Sequence, residues 1–112
     1  MTATEFRNIA LSLPGTMESS HMDHPDFRVR KKIFATLGHP DKTCGMVKLS
    51  PIQQNEFVAD QPDIFAPVAG GWGAGGATTV YLKPATEEIL RRAMILAWKN
   101  AAPKSLAKEF DE

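Results

Sequence analysis

The segment from His24 to Gly38 most constrains the fold, because hydrophobic and polar residues alternate along it with the period of a β-strand. In its first half, Phe27 and Val29 are placed on one face, and Arg28 and Arg30 on the other. After a cationic turn, the apolar alternation resumes at Ile33, Ala35 and Leu37. The segment therefore predicts two short antiparallel strands joined by a tight turn, which together form a sheet nucleus.

The remaining elements predict one domain over residues 1–112. Capping residues and apolar periodicity indicate helices over 2–13, from Ser50 to about Asp60, and after Thr86. Further strands are predicted over 16–23, 44–49 and 78–83. The first of these is polar and is placed at a sheet edge, whereas the stretch from Ile64 to Ala77 is expected to be irregular. The fold class is therefore α/β of the α+β type, with an antiparallel sheet of about five strands.

Charge and cysteine content limit the function classes. Thirteen basic residues balance thirteen acidic ones, so an attraction to phosphate has to come from local clustering of cations. The single cysteine, Cys44, falls in a predicted strand and is expected to be a buried hydrophobe. Neither a signal-peptide pattern nor an apolar run of about 20 residues is present, which leads us to expect a cytoplasmic protein without membrane contact.

Several motifs together resemble the MmcQ/YjbR family. They occur in the same order from the first helix to Trp98 and include His-Pro-Asp-Phe-Arg-Val at 24–29, Lys-Ile-Phe-Ala-Thr-Leu-Gly at 32–38, Val-Lys-Leu-Ser-Pro at 47–51, Gly-Trp-Gly at 71–73 and Thr-Val-Tyr-Leu at 79–82. The resemblance implies an antiparallel sheet with helices packed on one face, similar to the frataxin (CyaY) architecture. Family members are commonly described as DNA-binding because of a proposed double-wing shape, so the resemblance also implies DNA as a partner.

Four cationic side chains crowd the hairpin within five positions: Arg28, Arg30, Lys31 and Lys32. A hairpin of this kind can contact backbone phosphates. Alternatively, it is a solvated surface whose lysines guard a sheet edge against aggregation, and this is the commoner situation. Lys48 shares a predicted strand face with Met46 and either extends its amine to solvent or binds an anion.

The glycine-rich segment from Gly71 to Gly76 matches G-x-G-x-x-G, yet it does not indicate a dinucleotide site. That fingerprint requires a strand before it and a helix after it, whereas here a strand follows. The glycines instead favour a tight loop with positive φ angles that presents or buries Trp72. A packed, structural Trp72 is the favoured interpretation, and a base-stacking or ligand-contacting Trp72 is the alternative.

No metal, cofactor or catalytic site is predicted. His21 and His24 have H-x-x-H spacing around Asp23, but residues three apart on one strand face opposite sides, and His39 falls in a separate turn. His24 is expected to orient the entry to the hairpin, at the rim of a cleft that contains Trp72. No nucleophile elbow, H-E-x-x-H or Ser/His/Asp order appears, so we expect a protein that is not an enzyme.

The sequence thus leads to two hypotheses. The first is weak, sequence-tolerant DNA or nucleic-acid binding by a cationic hairpin, with Trp72 or His24 as a stacking or ligand contact; the cations are Arg28, Arg30, Lys31, Lys32 and Lys48. The second is a module that binds a protein or a small anionic ligand in the cleft near Trp72. The oligomeric state is left open.

Overall fold

The computed structural model describes residues 1–110 and the side chains of residues 1–108. Its helices are α1 (Ala3–Leu11), α2 (Pro51–Asp60), α3 (Gly71–Ala74), α4 (Glu87–Ala101) and α5 (Lys104–Phe110). Its strands are β1 (Thr16–His21), β2 (His24–Val29), β3 (Lys32–Leu37), β4 (Cys44–Lys48), β5 (Phe65–Pro67) and β6 (Ala77–Tyr81). They form one six-stranded sheet in the order β1-β2-β3-β4-β6-β5, and every neighbouring pair is antiparallel.

The helices begin where their capping residues predict. Thr2 and Ser50 each close a capping box, because their hydroxyls accept from the third helical N–H while that residue's side chain accepts from the cap N–H. Thr86 caps α4 by accepting from the N–H of Ile89. No helix within residues 1–110 combines the length and the apolar content needed to cross a membrane.

The sheet has one strand more than predicted. The additional strand is β5, which lies in the segment expected to be irregular and pairs with β6 through Ala66 and Thr79. A strand of three residues that ends in proline is too short to give a periodic signal in the sequence. The predicted position of β1 at a sheet edge is confirmed.

A β-bulge changes the facing of residues in the hairpin. The pairing of β2 with β3 shifts between Phe27 and Arg28, so that Ala35 pairs with Phe27 and Ile33 pairs with Arg28. Phe34 is the extra residue and is fully buried. The predicted alternation of Ile33 with Ala35 is therefore wrong: Ile33 lies on the same side of the sheet as Arg28.

Helices α1 and α4 pack against one face of the sheet and form the hydrophobic core. The largest fully buried side chains there are Trp98, Phe6, Phe27, Phe34 and Phe65. The indole N–H of Trp98 donates to the carbonyl of Pro14 at 2.9 Å, which satisfies the polar atom of a buried tryptophan. Cys44 is buried, as predicted.

We predict that Gly45→Ala destabilises the protein by about 1–3 kcal/mol, because it overpacks the core. A Cβ at this position would stand 2.7 Å from Cε2 of Phe6, whose ring is fully buried. Urea unfolding monitored by circular dichroism measures the change. Gly71→Ala is the control, since its Cβ would meet no atom within 4 Å. Equal unfolding midpoints for the two variants would contradict this description of the core.

Candidate functional site

The face of the sheet opposite α1 and α4 is called the open face. A row of cross-strand neighbours crosses it: Ser19, Asp26, Thr36, Met46 and Thr79. Met46 is fully buried, yet it lies outside the hydrophobic core cluster. The open face therefore has a floor of its own, made partly of polar side chains.

The open face carries a hollow of about 350 Å³, here called the tryptophan groove. It is lined by His21, Met22, His24, Ile33, Thr36, His39, Met46, Lys48 and Trp72. The hydroxyl oxygen of Thr36 is buried there and has no hydrogen-bond partner among the described residues. His24 and Trp72 thus lie in one cleft.

Aromatic contacts form one wall of the groove. The ring centroids of His24 and His39 are 6.3 Å apart, and those of His39 and Trp72 are 6.0 Å apart, both edge to face. Lys48 Nζ lies 5.9 Å from the Trp72 ring centroid, within the range of a cation–π contact. The indole of Trp72 therefore lies close to both an imidazole and an ammonium group.

Trp72 is 57% exposed, so the expectation of a packed, structural tryptophan is wrong. The indole is exposed because of the way α3 packs, with Gly73 in close contact with the backbone of Val68. A Cβ at Gly73 would stand 1.6 Å from the carbonyl oxygen of Val68, so only a glycine backbone fits there. Gly70 and Gly76 flank the short helix with positive φ angles, as the glycine content predicted, although the segment is a helical turn and not a loop.

Gln54 holds α3 in place from α2. Its side-chain Nε2 donates to the carbonyl oxygens of Gly73 at 3.0 Å and Ala77 at 2.9 Å, and the residue is buried. The two hydrogen bonds hold the chain directly after Trp72, from the middle of α3 to the start of β6. Sequence reasoning missed this residue, because a glutamine in a polar helix gives no sign of burial.

The histidines of the first hairpin are not arranged as predicted. Met22 and Asp23 form a two-residue turn with φ angles of 50° and 68°, and His21 therefore pairs directly with His24. The two imidazoles belong to the same groove instead of opposite sheet faces, since the turn lies between them. Within the described residues, no group of three or more His, Cys, Asp or Glu side chains fits a metal ion.

His39 is presented by the loop between β3 and β4. Asp41 accepts one hydrogen bond from the Thr43 hydroxyl and another from the Thr43 backbone N–H. These bonds, the hydroxyl's more than the N–H's, lower the pKa of the Asp41 carboxyl. The N–H of Gly38 donates to the carbonyl of Cys44 at 2.9 Å and closes the loop. Asp41 is therefore engaged in its own loop.

The four hairpin cations do not act as one group. Arg28 Nε and Nη2 donate to the two carboxylate oxygens of Asp26 at 2.8 and 3.0 Å. Asp26 is fully buried, and its hydrogen bond is the main cause of the raised pKa of Arg28. Arg30 does not share a strand face with Arg28, because β2 ends at Val29 and Arg30 lies in the turn.

Three cations remain at the hairpin tip, here called the turn cations: Arg30, Lys31 and Lys32. Arg30 and Lys31 occupy the turn with φ angles of 49° and 71°, and all three residues are exposed. Neither β2 nor β3 is an edge strand, so the interpretation that these lysines guard a sheet edge is wrong. Among residues 1–108, no ion pair within 4.0 Å involves a turn cation.

A second hollow, of about 330 Å³, extends from Lys32, one of the three turn cations, to Lys48 and is called the lysine hollow. It is lined by Lys32, Ile33, Lys48, Leu49, Ala97, Asn100 and Ala101. Lys48 and Ile33 line both hollows. Asn100 Nδ2 donates to the backbone carbonyl of Lys48 at 3.2 Å and to Gln53 Oε1 at 2.8 Å, which ties the end of β4 to α2 and α4.

A larger hollow, of about 600 Å³, lies between α2 and α4 in the helix layer. Its walls carry two carboxylates, Glu56 and Asp60. The single cation there, Arg92, lies over the Phe57 ring at 5.7 Å from its centroid. An anionic ligand therefore finds less complementary charge here than on the open face.

Comparisons with known proteins place this geometry in a family. The family model described as YjbR matches residues 11–100. A crystal structure of a Deinococcus radiodurans protein with a DUF419 domain superposes with a TM-score of 0.75 at 19% sequence identity, covering 98% of this chain and 88% of that one. At this identity the likeness shows the shared fold alone. No curated protein matches the chain.

We predict that Gln54→Ala loosens Trp72 and destabilises the fold by about 1–3 kcal/mol, because two buried hydrogen bonds are lost, although each carbonyl keeps one backbone donor. The steady-state fluorescence anisotropy of this exposed tryptophan should fall; Trp98→Phe removes the second indole from the measurement. Asn55→Ala, on the exposed side of the same helix, is the control. Unchanged anisotropy and stability in Gln54→Ala would show that the amide does not hold α3.

Proposed function

We propose that this protein, which belongs to the YjbR family, binds single-stranded nucleic acid weakly and with little sequence preference along its open face. The role is one of binding and not of catalysis. The observation that carries the proposal is the position of Lys48, which lines both the lysine hollow and the tryptophan groove. Cationic and aromatic groups thereby follow one another from the hairpin tip to Trp72.

The phosphate contacts are assigned to the turn cations and Lys48. The turn cations are exposed and form no ion pair with the described residues, so their charge is available to phosphate. Arg28 is left out of the proposed contact set because Asp26 compensates its charge. The chain has no net charge, so long-range attraction is absent and the affinity is expected to be low.

The base contact is assigned to Trp72. Its exposed indole can stack on an unpaired base, and stacking tolerates any sequence because every base has a π-face. Lys48, next to the same ring, is placed to contact the adjoining phosphate. Bases inside a duplex are already stacked on their neighbours, which favours a single strand as the ligand.

The groove itself favours a second candidate function, the binding of a small aromatic anion. Its volume of about 350 Å³ falls at the lower end of the range of ligand pockets, about 300–1,000 Å³. Trp72 and Met22, both exposed in the groove, offer apolar contact to a planar body, and Lys48 offers a charge at one side. In this case the turn cations would take no part.

We predict that binding of a fluorescent oligothymidylate weakens with salt at a slope of about −0.7 in log K against log salt for each phosphate contacted. Three or four contacts give a total slope of about −2 to −3. Lys31→Gln should lower the slope by about 0.7, whereas Lys104→Gln, on α5 and outside both hollows, should leave it unchanged. Absence of binding at about 50 mM salt would contradict the proposal.

We predict that Trp72→Ala weakens oligothymidylate binding by about 1–3 kcal/mol without changing the salt slope, because it removes stacking and no charge. Trp72→Phe should restore part of the loss. The second candidate is tested by the rise in melting temperature that small aromatic anions cause. If Trp72→Ala abolishes this rise and Lys31→Gln leaves it unchanged, the small-ligand function is favoured over nucleic-acid binding.

A further inference from the structure

The outer edge of β1 is unusually open. Within residues 1–110, β1 pairs only with β2, and five of its six residues are exposed. It contains no proline, lysine or arginine, and its register with β2 is regular, so the one common protection of an edge strand that it carries is a charged residue, Glu18. The opposite edge, β5, is only three residues long and ends at Pro67.

The hairpin geometry shows which backbone groups point outward. In a hairpin with a two-residue turn, the flanking pair, here His21 and His24, is hydrogen-bonded, and bonded and non-bonded pairs alternate from there. Ser20 and Pro25 accordingly form a non-bonded pair, which agrees with the missing N–H of proline. The outward N–H and C=O groups therefore belong to Thr16, Glu18 and Ser20, although the Thr16 N–H already donates to the carbonyl of Leu13 at 3.3 Å.

We propose that two copies of this chain associate through β1 as a symmetric antiparallel dimer with Ser19 on the twofold axis. Each Glu18 then lies opposite the Ser20 of the second copy, and these residues exchange backbone hydrogen bonds. Two such pairs form, one on each side of the axis. The proposal is independent of the nucleic-acid function.

Side-chain facing and charge select this register. Directly opposite residues must share a sheet face, so the axis has to pass through a residue. An axis at Glu18 would oppose two carboxylates, which is unfavourable. An axis at Ser20 would place Glu18 opposite Met22, which lies in the turn with a φ of 50° and is not in a strand. An axis at Met17 would rely on the Thr16 N–H, which already donates to the carbonyl of Leu13. The axis at Ser19 avoids all three problems.

The chosen register also covers exposed apolar surface. Met17, which is 72% exposed, comes to lie opposite the His21 of the second copy, at the margin of its tryptophan groove. On the other face, Arg7 Nε donates to Glu18 at 2.9 Å, and both side chains stay 33% exposed, so the Glu18 carboxylate remains accessible from across the interface. The dimer has one continuous sheet with both open faces on the same side.

Such an edge contact is small, so the dimer is expected to be transient, with a Kd on the order of 0.1 mM. Sedimentation equilibrium over a range of concentrations up to about 1 mM measures it. Ser20→Lys should tighten association about three- to tenfold, because each new lysine faces a Glu18 across the interface, and Ser20→Glu should weaken it by a similar factor. Ser20→Pro should abolish it, since it removes an outward N–H.

Asn55→Lys and Asn55→Glu are matched controls, because they make the same charge changes on the exposed side of α2 and should leave association unaltered. Circular dichroism confirms that each variant is folded at the concentrations used. A chain that stays monomeric at about 1 mM overturns the dimer and leaves β1 open to an extended segment of another protein. If Ser20→Lys and Ser20→Glu change the dimer dissociation constant in the same direction and by the same factor, the proposed register is wrong.

Discussion

The packing of helices α1 and α4 on one face of the sheet is the constraint on which the rest of the structure depends. Helices α1 and α4 cover the side of the sheet that presents Phe27, Val47 and their neighbours, and this contact supplies the hydrophobic core. Because side chains alternate along each strand, fixing that face also fixes which residues occupy the other. Met46 and Lys48 are thereby directed to the open face, where α3 adds Trp72.

The burial of Asp26 on the open face determines which of the nearby cations are available to a ligand. The fully buried carboxylate of Asp26 requires a partner, and Arg28, two residues along the same strand, provides it through two hydrogen bonds. This pairing leaves Arg28 as part of the floor and shifts any polyanion contact to the hairpin tip. Lys48 then becomes the connecting residue, because it is the cation shared by the two hollows.

The sequence predicts most of the fold because its signals are local. Capping boxes at Thr2 and Ser50 and the alternation in β2 depend on neighbouring residues alone, and they locate these elements closely. β5 and the bulge at Phe34 escape prediction, since a three-residue strand and a one-residue insertion are stabilised by pairing with distant strands.

The site was less predictable, because it depends on tertiary contacts. The exposure of Trp72 follows from the fit of Gly73 against Val68, and the Asp26–Arg28 pair from the burial of that carboxylate. Neither can be read from composition or spacing. The turn between His21 and His24 shows the same point. The period of a strand predicts that residues three apart face opposite sides of the sheet. Because Met22 and Asp23 form a turn, His21 and His24 instead lie on neighbouring strands as directly opposite residues.

The central claim is that the ligand surface runs from the turn cations through Lys48 to Trp72. Amide and indole chemical shifts of the isotope-labelled protein, followed during addition of oligothymidylate, test it most directly. The account predicts that the largest changes map to residues 30–32, Lys48 and the Trp72 indole N–H, with little change in α1 and in the part of α4 that precedes Ala97. Changes confined to the helix layer, or no changes at all, would contradict it.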